Sequence, residues 1–385
     1  MDFTLTEEQS LLGDAIDRFN ARTQDSVSRR RRLESEAGRL RTMWHEVAAL
    51  GLAGLLVPEA DGGSGAGMAE VMVMMQAAGR GLMVEPLVAT AVVGATLLVA
   101  DTDVSRRTRL LARLVAGDLL LALAHAEPQA SASMQQVLTE ARCQGDEYVL
   151  QGAKSLVLHG GEADLLLVSA RTAGSPQDLE GVSLFLLDPA HPGVVKRDYA
   201  TLDGHRACEL ALDEVRVPAS AMLGRAGTAA ALIEHALDRG SAALCAEAVG
   251  VMETLLAQTT EYLRTREQFG QAIGRFQVLQ HKAVDMLVQL EQSRSMAYLA
   301  SLRADAAHRE DGAREVSAAR VSIARSARAF AQSAIQLHGG IGMTDELPAS
   351  HYARRLSLLE FWLGTREQHL ERYMHLKQPD RVAAS

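Results

Sequence analysis

Within five positions, Arg266, Gln268, Phe269 and Gly270 bring together a guanidinium, an amide, an aromatic ring and a glycine. They belong to RTREQFGQAIGRFQVLQHKAVDM, starting at Arg264, in which Phe276 and Gln277 then open a new apolar-periodic run. A second segment, QLHGGIGM at Gln336–Met343, carries the adjacent glycines Gly339 and Gly340. A guanidinium forks onto a phosphate, and an aromatic ring covers an apolar one. A glycine pair lets backbone approach a ligand closely. Together these are the parts needed to hold a pyrophosphate and an adenine. Each residue also has a plainer reading. Arg266 can be an exposed helix-end arginine, Phe269 and Phe276 core, Gln336 and Gly340 helix-end and turn residues. The joint occurrence of QFG after the arginine and QLHGG downstream favours the phosphate contact.

The elements that must position these residues are legible in outline. With 385 residues, two or three domains are expected. Residues 1–120 read as helices. Leu11, Leu12, Ala15, Ile16 and Phe19 recur at helical spacing, as do Val71, Met72, Met74, Met75 and Ala78. From about 121 the texture changes to short β-friendly runs: LLLALAHAE, EYVLQGAKSLVL, ADLLLVSA, VSLFLLD and ACELALDEV. From about Thr228 long helical patterns return, and Pro348 is the one proline before Pro379. The expectation is an α+β, mostly α, chain. A helical domain spans 1–120, a β domain (barrel or sandwich) 121–227 and a helical bundle 228–385. No GxGxxG opens a βαβ unit, which argues against a Rossmann nucleotide site.

Composition narrows the function. Net charge is −9, with 39 basic and 48 acidic residues, which argues against general nucleic-acid binding. Hydrophobic residues make up 48% but aromatics only 4%, so aliphatic and Met side chains fill most of the core. Cys143, Cys208 and Cys245 form no CxxC, and a disulfide framework or zinc site is not expected. The first residues include Asp2, Glu7 and Glu8, with no cationic apolar signal segment. The apolar stretch Leu110–Ala126 is interrupted by Arg113, Asp118 and His125, so no membrane span and a cytoplasmic protein are expected. The Met residues at 68–75 read as core filler. The arginine run Arg29–Arg32, followed by Glu34 and Glu36, reads as a solvated helix face or loop. His159 and His338 read as polar or packing residues, and the QPDRVAAS end as a frayed tail.

The two segments resemble the acyl-CoA dehydrogenase family of flavoproteins, and the resemblance runs along nearly the whole chain. DFTLTEEQSLL (Asp2–Leu12) is similar to the family's first helix, with Thr6 placed to cap it. GLAGLLVPEADGGSG (Gly51–Gly65) resembles the loop after the early helices, and AEPQAS (Ala126–Ser131) a TEPGAGS-like loop. LQGAKSLVLHGGEAD (Leu150–Asp164) resembles a GxKxWITNG-like hairpin, and DEVRVPASAMLG (Asp213–Gly224) the exit from the β domain. The resemblance implies FAD as cofactor and an acyl-CoA substrate. A carboxylate removes the α-proton of the thioester, flavin takes the β-hydride, and an electron-transfer flavoprotein accepts the electrons. It also implies that Arg266, Gln268, Phe269, Phe276, Gln277, Gln336, Gly339 and Gly340 serve an FAD bound mainly by a neighbouring subunit.

Other positions depart from the family. Its base is a Glu in a YEGT-like motif, where this chain has Trp362-Leu363-Gly364-Thr365. A second branch carries the Glu in LDxER, matched here by Leu237-Asp238-Arg239-Gly240-Ser241. Neither Leu363 nor Gly240 accepts a proton. Leu156 and Leu158 replace the Trp and Thr offered to the isoalloxazine, and Ala132 replaces a Ser, with Ser133 adjacent. The chain thus keeps what it would lend to a partner and lacks what it would use itself. This pattern resembles one subunit of heteromeric α2β2 acyl-CoA dehydrogenases. LHGGIGMTDE and the following HYxxRL (His351–Leu356) also resemble the small subunit of pimeloyl-CoA-type enzymes. The catalytic residue stays unassigned. Glu247 is a displaced-base candidate whose plainer reading is a polar helix contact, and Glu360 and Asp345 are weaker ones. A homotetramer with a moved base, a scaffold subunit without flavin, and a flavin monooxygenase remain alternative readings.

Overall fold

The protein is described from a computed structural model, over residues 4–23, 38–129, 135–306 and 309–376. The run Arg29–Arg32, residues Ala130–Ser133 and the tail from Gln378 lie outside the described residues. The helices are α1 (Glu7–Thr23), α2 (Gly38–Ala49), α3 (Met68–Gly81), α4 (Ala95–Val99), α5 (Val104–Val115), α6 (Ala230–Thr265), α7 (Gln277–Ala304), α8 (Arg309–His338), α9 (Pro348–Leu359) and α10 (Arg366–Leu376). The chain forms two compact units. A helical unit takes Met1–Arg31, Met68–Met83 and Ser241–Ser385, and a β-containing unit takes Arg32–Gly67 and Val84–Gly240.

In the helical unit, α1 begins with a reciprocal cap. Gln9 N–H donates to Thr6 Oγ1 at 3.2 Å, and Thr6 N–H donates to Gln9 Oε1 at 3.0 Å. The Met stripe of α3 is core, with Met68, Met72, Met74 and Met75 all buried. Glycines let α3 and α6 approach backbone to backbone. A Cβ on Gly250 would overlap the Gln76 carbonyl, and one on Gly79 would overlap that of Glu247. Arg80 at the end of α3 pairs with Asp17 at 2.7 Å and with Glu253 at 3.2 Å. Glu253 also meets Arg294 at 2.8 Å, so one charge network ties α1, α3, α6 and α7. Pro348 sits in the first turn of α9, where its missing N–H costs nothing. By length and composition α6 is apolar enough to cross a membrane. However, 78% of its most apolar window is buried inside the protein, as in a core helix.

The β-containing unit has eight strands among the described residues. They are β1 (Leu121–Ala124), β2 (Glu140–Gln144), β3 (Glu147–Leu158), β4 (Leu165–Arg171), β5 (Val182–Leu187), β6 (Val194–Ala200), β7 (Arg206–Pro218) and β8 (Met222–Leu223). Their order is β6-β7-β3-β2-β4-β5-β8, with β1 parallel on β4. Alternate residues fill one core with Leu150, Val157, Leu166, Val168, Phe185, Leu210 and Val215. The five apolar runs read from sequence all contain strands. The polar β2 and β6 were not among them. Before β1, a wholly buried π-helical stretch, Leu87–Gly94, runs into α4. Thr90 fixes it to β1, its hydroxyl donating to Leu121 O at 3.0 Å and accepting from Leu121 N at 3.1 Å.

The close approach of α3 and α6 yields a first prediction. A methyl group at Gly250 has only backbone to displace, so Gly250→Ala destabilises the chain by about 3 kcal/mol. Urea unfolding measures this, and a change below about 0.5 kcal/mol would show that the two helices do not meet there.

Candidate functional site

The expected cofactor-contact residues come together at one end of the helical unit. After α6 the chain makes a short hairpin, β9 (Glu267–Gln268) and β10 (Gln271–Ala272), with Gln268 opposite Gln271. Its two-residue turn has φ of 55° at Phe269 and 76° at Gly270. Both lie in the left-handed region, as a type I′ hairpin requires. Glycine fits that region freely, whereas phenylalanine is strained in it. Phe269 is 89% exposed, and among the described residues its ring contact is edge-on to Phe276 at 6.0 Å. Arg266, Gln268 and Gln277 are exposed. Gln280 Nε2 donates to Gly274 O at 2.8 Å, holding the start of α7 against the 3-10 turn Ile273–Arg275 that follows the hairpin.

The second segment closes α8. Gln336 is exposed, and Gly339 (φ 67°) leads into a 3-10 turn over Gly339–Met343. A Cβ built on Gly270, Gly339 or Gly340 would meet nothing within 4 Å, so backbone is open to a ligand at all three. His338 joins the two segments. Its ring packs tilted against Tyr262, with centroids 4.7 Å apart, and its Nδ1 lies 2.8 Å from Ala334 O. Burial holds this imidazole below its ordinary pKa, so it is neutral and donates Nδ1–H to that carbonyl. The packing role expected for His338 is therefore met. The Tyr262–His338 contact was not foreseen, although both residues sit in or beside the motifs.

The carboxylates considered as bases are engaged elsewhere. Glu247 on α6 is buried, and Arg355 of α9 donates Nε–H to its Oε1 at 2.6 Å and Nη2–H to its Oε2 at 2.7 Å. The Arg355 guanidinium also lies 4.0 Å over the Trp362 ring. A carboxylate forked onto a buried guanidinium on both oxygens has the geometry of a helix–helix contact, the plainer of its two readings. Glu360 lies 4.0 Å from Arg328, and the exposed Asp345 pairs with Arg354. Gly240 and Ser241 are buried on α6, and the Ser241 hydroxyl has no hydrogen-bond partner among the described residues. Leu363 is half-buried with φ of 55°.

In the β-containing unit, Glu127 grips the neck of the TEPGAGS-like loop. Its carboxylate accepts from Leu138 N at 2.7 Å, Thr139 N at 3.0 Å and Thr139 Oγ1 at 2.6 Å. Lys154 Nζ donates to it at 2.6 Å and to Ser169 Oγ at 3.0 Å. Burial alone would raise the Glu127 carboxyl, but Lys154 and Thr139 outweigh it and hold the pKa below the usual value. Full burial pulls the Lys154 ammonium down to about 8, against the pull of Glu127. In the following bulge of β3, Leu156 has φ of 48° and is half-buried, while Leu158 is buried. His159 is buried beside Glu162 and stands edge-on to His205 at 5.9 Å.

Three family models match in chain order. The N-terminal, middle and C-terminal domains of acyl-CoA dehydrogenase match residues 6–118, 122–215 and 227–375. The chain belongs to the acyl-CoA dehydrogenase family. Mitochondrial isovaleryl-CoA dehydrogenase of Pongo abelii is 29% identical over 378 residues, covering 94% of this chain and 87% of that protein. Butyryl-CoA dehydrogenase of Megasphaera elsdenii superposes with a TM-score of 0.86 at 26% identity, over 97% of this chain and 99% of that one. A chain of the ChsE4–ChsE5 complex of Mycobacterium tuberculosis does so with a TM-score of 0.86 at 25% identity, over all of both chains.

Two predictions follow from these buried pairs. Glu247→Gln leaves Arg355 charged and uncompensated, so it lowers stability by about 3 kcal/mol in denaturant titration. Arg355→Met in the same background recovers part of that loss. A Glu247→Gln chain as stable as the wild type would contradict the buried pair. Glu127 has a folded pKa below its unfolded value of 4.5. Its contribution is therefore present above pH 4.5 and lost as pH falls through the folded value. Glu127→Gln costs about 3 kcal/mol at pH 7, and the gap from wild type narrows below pH 4.5. A gap that stays constant down to pH 3 would refute this assignment.

Proposed function

We propose that this chain is a subunit of a flavin-dependent acyl-CoA dehydrogenase that completes the FAD site of a homologous partner without building a full site of its own. The observation that carries the reading is one-sided. Arg266, Gln268, Phe269, Gln277, Gln336, Gly339 and Gly340 gather at one end of the helical unit, exposed and with open backbone. Leu363 and Gly240 stand at the two positions where the family places its base, and Leu156 and Leu158 where it offers Trp and Thr to the flavin. We keep the division into 1–120, 121–227 and 228–385 as the domain plan of this subunit.

These residues fit an FAD presented by a partner. Arg266 would neutralise the pyrophosphate, Phe269 and Phe276 would cover the adenosine side, and the Gly339–Gly340 backbone would come close to it. The cofactor, when bound, supplies the acceptor for the β-hydride of an acyl-CoA thioester. Electrons would then pass to an electron-transfer flavoprotein. Exposed apolar residues on the same unit, Val278, Val284, Leu287 and Val288 of α7 with Ile341 and Met343, suit a partner docked on the C-terminal helices. A pairing of two different chains is in keeping with the ChsE4–ChsE5 neighbour, described as a complex. The reading with Glu247 as a moved base has less support, because Arg355 occupies both carboxylate oxygens.

The decisive experiment is flavin counting. Purified alone, the chain carries well under one FAD per protomer. Co-expressed with a homologous dehydrogenase chain that keeps the Trp, Thr and Glu positions, the complex is yellow and bleaches with an acyl-CoA. One tightly held FAD per protomer in the isolated chain would overturn the half-site reading. In the complex, Arg266→Ala weakens FAD retention by about 2 kcal/mol, or roughly thirtyfold. An unchanged flavin affinity would remove Arg266 from the site.

A further inference from the structure

The turn between α9 and α10 has an unusual support. Arg320, buried on α8, aims one nitrogen at three backbone carbonyls. Its Nη2 donates to Leu359 O at 2.9 Å, Trp362 O at 2.7 Å and Gly364 O at 3.4 Å. The carbonyl between the last two, Leu363 O, lies 3.2 Å from His369 Nε2. Burial, reinforced by Arg320 and Arg372, keeps the His369 pKa well below its ordinary value, so the ring is neutral. Facing a carbonyl, Nε2 carries the proton, and Nδ1 accepts from Ser317 Oγ at 3.4 Å. Four carbonyls between 359 and 364 are thus turned onto two side chains. Within this stretch Leu363 has φ of 55° and Gly364 φ of 107°. Leucine does not choose that conformation unaided, and it persists only where the surroundings over-determine it.

We infer that Arg320 is a positioning residue. It holds residue 363 in the left-handed conformation and so sets the direction in which this turn presents its side chain. The clamp itself rests only on the geometry of the turn. A cation at the C-terminal end of α9 would be favourable in any orientation. What is specific here is that one donor group serves the carbonyls on both sides of the strained residue.

The test uses the full chain labelled with 5-fluorotryptophan. Only Trp44 and Trp362 contribute signals, and Trp44→Phe assigns them. Arg320→Met shifts or broadens the Trp362 resonance and speeds amide exchange across 360–366 at least tenfold. Arg320→Lys restores both in part, because its ammonium, one bond short of the Nη2 position, still donates toward these carbonyls. Leu363→Gly combined with Arg320→Met also restores the resonance, because glycine enters the left-handed region without the clamp. This double variant keeps the test decisive if Arg320→Met alone does not fold. An unmoved Trp362 resonance in folded Arg320→Met would overturn the inference, as would failure of both rescues.

Discussion

Arg355 and Glu247 meet inside the helical unit with both carboxylate oxygens engaged, and much of that unit is arranged around the pair. Glu247 lies on the stretch of α6 that touches α3, since its own carbonyl leaves no room for a side chain at Gly79. Arg355 reaches from α9 and carries the Trp362 ring on its guanidinium face. A bare buried charge would be expensive, so neither partner can be moved without the other. The α3–α6 approach, the placement of α9 and the turn after it are therefore mutually dependent. The same interaction occupies both carboxylate oxygens of Glu247. Its lone pairs already serve the fold.

The β-containing unit is organised around a different buried pair, Lys154 and Glu127. One carboxylate there accepts two backbone amides, a hydroxyl and an ammonium. Because Glu127 lies near the start of the Ala126–Ser131 loop and Leu138 and Thr139 come after it, one carboxylate ties the two stretches of chain together. The pair lies in the sheet core, where water cannot compete for these donors, so the grip is strong.

Much of this was legible in the sequence, for physical reasons that differ by element. Apolar periodicity marks elements with one buried face, so the long helices and five strand runs stood out. The Met stripe and the Thr6 cap were readable because each depends on neighbours three or four residues away. β2, with sequence EARCQ, and β6, with VVKRDYA, present mostly exposed side chains and leave no alternating pattern. The grouping of Gln268, Phe269 and Gly270 was readable, but the left-handed φ of Phe269 was not, since phenylalanine gives no local signal for it. The grips of Arg320 on the 359–364 turn and Arg355 on Glu247 join residues roughly forty and one hundred positions apart. Sequence spacing carries no trace of such pairings, although Arg355 lay within the HYxxRL segment.

The contrast between what is exposed and what is buried separates two kinds of departure from the family. Leu158 and Ser241 are buried, and Leu363 and Leu156 are half-buried in strained turns that are kept in shape. Phe269 shows the reverse. It is nearly fully exposed, in a conformation phenylalanine disfavours, at the tip of a hairpin whose first strand, Glu267–Gln268, is exposed and whose second, Gln271–Ala272, is half-buried. Within one chain this arrangement gains almost no burial to offset its strain. It becomes favourable when another surface covers the ring, which is what the proposed partner-held cofactor would do.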